Sequence, residues 1–130
     1  MQPRTLFLAR LIGLFLIVVS LAMLVQKQGL APSFEALIHD RVALLIIALI
    51  GLVAGLAMIL AHNVWSGGVL PVAVTVIGWL LALRNALILL LPAHALVALF
   101  EALHVEQLYY VYAVIDLLIG VLLTSAAFRQ

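Results

Sequence analysis

The chain has 130 residues, 68% hydrophobic and 8% charged, with a mean hydropathy of +1.40. A soluble domain is about 45–50% apolar and about 25% charged, and six Lys/Arg with five Asp/Glu cannot cover a water-soluble sphere this small. The composition predicts an integral membrane protein. It excludes a nucleic-acid binder, because a formal net charge of +1 leaves no basic footprint for a phosphate backbone. It also excludes a separate soluble catalytic domain, since membrane spans take up most of the length. With no cysteine there is no disulfide, thiolate zinc site, iron–sulfur cluster or C-x-x-C-H haem attachment.

The expected fold is all-α, one polytopic domain over residues 1–130. A spanning helix needs about 20 apolar residues, and four stretches qualify: Thr5–Val25, Val42–Ala61, Val69–Leu91 and Leu108–Phe128. The first has arginines before its apolar run and Ser20-Leu21-Ala22 within it, as a signal peptide would. The run continues to Val25, however, which favours a retained span. Gln26-Lys27-Gln28-Gly29 ends this span, and Pro32-Ser33 restarts the chain. Ser33–His39 reads as one or two interfacial turns with Phe34, Leu37 and Ile38 toward lipid. Asp40 stands at the N-cap position of the second span. The short loop His62–Gly68 makes spans two and three an antiparallel hairpin, and Pro71 falls in the first turn of the third. Pro92 closes that span. Ala93–His104 forms a second interfacial segment with His94, Glu101 and His104 on one face. Tyr109, Tyr110 and Tyr112 form an aromatic belt, with Trp65 at the opposite interface.

Arg4, Arg10 and Arg129 on one side, against Lys27 and Arg41 on the other, give an expected orientation with both termini cytoplasmic. The margin is narrow, and insertion in both orientations is the alternative. In lipid, close helix approach depends on small residues and polar contacts, and each span has such a stripe. These are Ala9/Gly13/Ser20, Gly51/Gly55/Met58/His62, Gly78/Ala82/Asn85, and Tyr109/Ala113/Asp116/Gly120/Thr124/Ala127. The first reading of these stripes is packing within one four-helix bundle. The second has the Gly51/Gly55 face meeting another subunit.

Arg84 and Asp116 lie well inside the third and fourth spans, at similar depth from ends on the same membrane face. Intramembrane charges usually have partners. The expected solution is an Arg84–Asp116 ion pair, with Asn85 as a further hydrogen-bonding group.

Signals for chemistry are sparse. Glu101 and His104 have i, i+3 spacing, and Glu35 and His39 have i, i+4 spacing beside Asp40, on the same side as His94 and Glu106. A di-metal bundle needs two such motifs and two further carboxylates in a helical core, so these residues read as a solvated polar face, with no metal expected. A b-type haem needs facing histidines at matched depth within the spans, whereas His39, His62, His94 and His104 all lie near helix ends. Trp79, in the middle of the third span, reads as core filling.

Ala61-His62-Asn63-Val64-Trp65, followed by Ile77-Gly78-Trp79-Leu80, resembles a group of small, functionally uncharacterised four-span bacterial inner-membrane proteins. These share a His-Asn-x-Trp turn and a Gly-Trp in the third span. The resemblance covers roughly residues 5–92. It implies the bacterial cytoplasmic membrane and lends no activity. Small multidrug-resistance transporters fit poorly, since their first-helix glutamate is missing here. Fluoride channels fit poorly as well, since their phenylalanine-flanked break in the third helix is missing. The expected function is that of a non-enzymatic accessory, assembly or interaction subunit without cofactor, in the lipid bilayer as a homo-oligomer or part of a larger membrane complex. The alternative is a small oligomeric transporter or channel using Arg84 and Asp116.

Overall fold

The computed structural model describes residues 2–104 and 107–129. These form α1 (Pro3–Val25), α2 (Lys27–Ile38), α3 (Arg41–Ala61), α4 (Val69–Leu90), α5 (Ala93–Ala102) and α6 (Tyr109–Phe128). Four of the six, α1, α3, α4 and α6, are long and apolar enough to cross a membrane. Their ends fall within two residues of those expected from hydropathy, because a spanning helix must satisfy every backbone group internally across the full hydrocarbon depth.

The ends of the helices follow local chemistry. Pro3 occupies the first turn of α1, where its missing N–H costs nothing. The Asp40 carboxylate accepts the Ala43 N–H at 3.1 Å and caps α3. Gly68, at φ 121°, turns the chain into α4. Pro92 initiates α5, its carbonyl accepting from the N–H groups of Ala95 and Leu96. At the far end of α5, His104 has φ 51°, the left-handed geometry common just beyond a helix C-cap.

Three arginines close helix C-termini on neighbouring elements. Arg4 Nη1 donates to the Ala61 carbonyl of α3 at 3.4 Å, Arg10 Nη2 to Ala127 of α6 at 3.1 Å, and Arg41 Nη1 to Ile88 of α4 at 3.4 Å. Each places a cation where last-turn carbonyls lack helical donors and the helix dipole is negative.

The spans associate as two tight pairs, α1 with α6 and α3 with α4. A Cβ built on Gly120 would lie 2.9 Å from the Gly13 carbonyl oxygen, so these two glycines allow the α1 and α6 backbones to touch. In the other pair, a Cβ on Gly55 would lie 2.6 Å from the Ala82 nitrogen, and one on Gly51 2.5 Å from the Asn85 amide. The Gly51/Gly55 face therefore packs on α4 of the same chain.

Ala9, Leu70, Val74, Leu123 and Ala127 form a core shared by α1, α4 and α6 at the His62 end. At the other end each pair has a core of its own. Leu44, Ala48 and Ile88 join Leu96 of α5, while Met23, Tyr109 and Ala113 pack with Leu30, Ala31 and Phe34 of α2.

Several expectations are corrected here. Helix α2 begins at Lys27 rather than at Ser33, running through Gly29 and Pro32. The Gln26 carbonyl starts it by accepting from Gly29 and Leu30, and the Ser33 hydroxyl donates to the Gly29 carbonyl at 2.8 Å. Its apolar face turns to the bundle instead of to lipid: Phe34 lies 6.3 Å from the Tyr109 ring and Leu37 packs on the Leu44/Leu96 core. The apolar side of an amphipathic segment only 12 residues long finds more contact on the Leu44/Leu96 and Met23/Tyr109 cores than on lipid tails. Tyr109 leaves the expected aromatic belt for the core, its hydroxyl donating to the Met23 carbonyl at 2.7 Å. Tyr110 stays exposed, with Lys27 Nζ 4.5 Å above its ring.

Candidate functional site

The intramembrane charges do not form the expected pair. Arg84 is exposed on α4 and Asp116 is half-buried on α6. Among the described residues no ion pair joins them, and neither takes part in a side-chain hydrogen bond. Asn85 does not bridge them either. It is fully buried between α3 and α4, donating its Nδ2 to the Leu81 carbonyl at 2.7 Å, and its Oδ1 is left without a partner. Toward this end the buried residues of α3/α4 and of α1/α6 belong to separate cores, Leu44/Ala48/Ile88 and Met23/Tyr109/Ala113.

Their positions are nonetheless matched. Ile77 packs against the shared core that holds Leu123. Arg84 lies seven residues beyond Ile77 on α4, and Asp116 seven residues before Leu123 on α6. Seven residues are two helical turns, so each charge continues the face of its reference residue. The helices are antiparallel, so both charges rise ~10 Å from the shared core toward the α2/α5 end and lie within about one turn of the same depth. Each is thus directed along the seam between the helix pairs. A charge near the bilayer centre costs roughly 2.5–3.5 kcal/mol on insertion scales when nothing compensates it.

The opposite end holds a polar hub. The loop from His62 to Gly68 runs back along α4, because α3 ends beside Gly78 while α4 starts further out at Val69. His62 is 3% exposed. Its Nδ1 lies 3.1 Å from the Thr75 hydroxyl of α4, and its Nε2 lies 2.7 Å from the Thr5 hydroxyl of α1. The Thr75 oxygen accepts the Val64 N–H at 3.0 Å, and it lies 2.8 Å from the Val64 carbonyl and 3.0 Å from that of Pro71. A neutral imidazole has one donor and one acceptor nitrogen, so His62 bridges the two hydroxyls in either tautomer. Asn63 Oδ1 accepts from both indoles, Trp65 at 2.8 Å and Trp79 at 3.3 Å. Trp79 therefore sits 39% exposed on the rim of the bundle, a correction to its reading as core filling. The reason is that the loop begins beside the second and third turns of α4, where Asn63 offers the indole N–H an acceptor.

The third candidate is a cleft of about 300 Å³ between α2, α5 and the start of α6. Phe34, Ile38, Val97 and Phe100 floor it, and Glu35, His39, Glu101 and His104 stand on its rim. The His39 Nδ1 pairs with the Glu35 carbonyl of its own helix at 2.9 Å, and all four polar side chains are exposed. Among the described residues, no group of three or more His, Cys, Asp or Glu converges as a metal site. His94 is exposed on α5 and does not line the cleft, and Glu106 lies outside the described residues.

Reading the sequence alone singled out His62 in a motif but missed its partners. Thr5 and Thr75 are its hydrogen-bonding partners, and their signal was modest: two isolated hydroxyls, one beside Arg4 at the start of α1 and one in the apolar start of α4. Comparisons with protein-family models, curated proteins and solved structures found no match to this chain.

Proposed function

We propose that this membrane protein acts by binding other membrane protein surfaces, as a non-enzymatic accessory, assembly or interaction subunit. The observation that carries this reading is the pair of intramembrane charges, which have no internal partners among the described residues. Arg84 is exposed on α4 and Asp116 half-exposed on α6, and lipid tails offer neither a counter-ion. The other polar groups of the spans are mostly engaged inside the chain: His62 with Thr5 and Thr75, Ser20 with the Leu16 carbonyl, Tyr109 with Met23. What remains for function is surface recognition. The setting we propose is the bacterial cytoplasmic membrane with both termini inside, supported by Arg4, Arg10 and Arg129 at one end and by the His-Asn-x-Trp resemblance.

Native mass spectrometry of the protein extracted from its own membrane in mild detergent tests the reading. A stoichiometric companion, a second copy or another membrane protein, is the expected result. Ion or solute flux through reconstituted protein, abolished by Asp116→Asn, would replace the reading with a transporter or channel.

A further inference from the structure

We infer that two copies of the chain associate side by side in the membrane about a two-fold axis along the membrane normal, Arg84 of each copy meeting Asp116 of the other. The inference rests on the proposed interaction role and names a second copy as the partner.

Three observations carry it. First, the charges are opposite, and among the described residues they are unpaired within the chain. Second, they lie within about one turn of the same depth: each is seven residues from a residue in or packed against the same shared core, on antiparallel helices. A two-fold axis along the normal preserves depth, so a reciprocal contact requires equal heights. Third, each charge continues the face by which α4 or α6 reaches the seam between the helix pairs. An isologous contact there sets α4 of one copy against α6 of the other, twice, and forms two bridges from one pair of residues. The apolar surface for that contact is present on both helices. Leu80 and Leu87 flank Arg84 by about one turn and are exposed; Ile119, about one turn beyond Asp116, and Ile115, its neighbour in sequence, are exposed as well. The low dielectric of the bilayer strengthens both bridges, and each copy supplies the counter-charge that the other lacks.

Complementation between full-length chains tests this in mild detergent and in lipid nanodiscs. Wild-type protein is expected to be dimeric by native mass spectrometry. Arg84→Asp and Asp116→Arg are made in separate chains, distinguished by mass. Each alone puts like charges at both bridges and is expected to dimerise at least tenfold more weakly. Co-expressed, the two variants restore both bridges in the mixed dimer, which is expected to exceed the one-half share of random pairing. The double variant R84D/D116R restores both bridges in any arrangement and serves as the folding control. Should the single variants fail to accumulate, mutual rescue of their levels on co-expression supports the two-copy contact. A monomeric wild type overturns the inference, as does a mixed dimer at or below its random share. Failure of rescue in trans while R84D/D116R accumulates also overturns it, and assigns the charges to an ion pair within one chain. A monomeric chain that still carries a stoichiometric foreign protein loses the second copy but keeps the interaction role.

Discussion

The two ends of this bundle are held by different means. At the His62 end, α1, α4 and α6 share one apolar core, and His62 links the Thr5 and Thr75 hydroxyls across three elements. At the α2/α5 end, α3/α4 and α1/α6 have separate cores, with α5 completing one and α2 the other, while Leu37 of α2 also touches the first. Lipid tails are as apolar as leucine, so apolar contact alone gives helices little reason to close on one another. Helices stay together where small residues let backbones touch or where polar groups need each other. Within each pair the glycines meet the first condition along the spans. Between the pairs the second condition is met at one end by the hub. Toward the other end stand Arg84 and Asp116, which among the described residues form no ion pair with each other.

The largest effect is expected from removing what both ends depend on. Gly55→Val drives a side chain into the Ala82 backbone, 2.6 Å away at the Cβ, and a backbone cannot step aside. We expect a loss of about 3 kcal/mol or more in chemical unfolding from detergent, with both ends failing together. Survival at wild-type stability would mean that α3 and α4 do not approach as closely as described. Gly51→Ala should cost less, because it meets the Asn85 amide, a side chain, rather than backbone.

His62→Ala breaks the comparison on one side. Two hydrogen bonds at ~0.6 kcal/mol each and a new cavity add to about 2 kcal/mol. Amide exchange should quicken at Val64 and in the first turns of α1, while α2 and α5 keep their protection. Uniform loss over the whole chain would show that the hub is not local to its end. Phe34→Ala works on the opposite side. It removes a half-buried ring from the Tyr109 core, at about 1–2 kcal/mol. Exchange should then rise in α2 and leave the His62 loop unchanged. The smallest effect belongs to Tyr109→Phe, which deletes the single bond to the Met23 carbonyl and keeps the ring. About 0.6 kcal/mol is expected, read as a small drop in thermal midpoint.

The four spans were legible from the chain because the bilayer acts on sequence directly: a run of about 20 apolar residues must become a helix when no water is present to satisfy its backbone. Asp40 as a cap, Pro71 in a first turn and the short His62–Gly68 connection were equally readable, since each depends on neighbours a few residues away. Stripes of small residues showed which faces approach, but not whose faces they meet. Tertiary structure decided that Gly55 meets Ala82 and Gly120 meets Gly13. The direction of α2's apolar face depended on whether the ends of α1 and α6 leave space for Phe34, which local pattern does not carry. The hub required Thr5 and Thr75, distant in sequence, to converge on His62. The fate of Arg84 and Asp116 was the least readable of all. Sequence fixes a residue's depth by counting turns, and depth alone suggested a pair. Whether two charges at one depth meet depends on the lateral spacing of their helices, which is set by packing across the whole bundle.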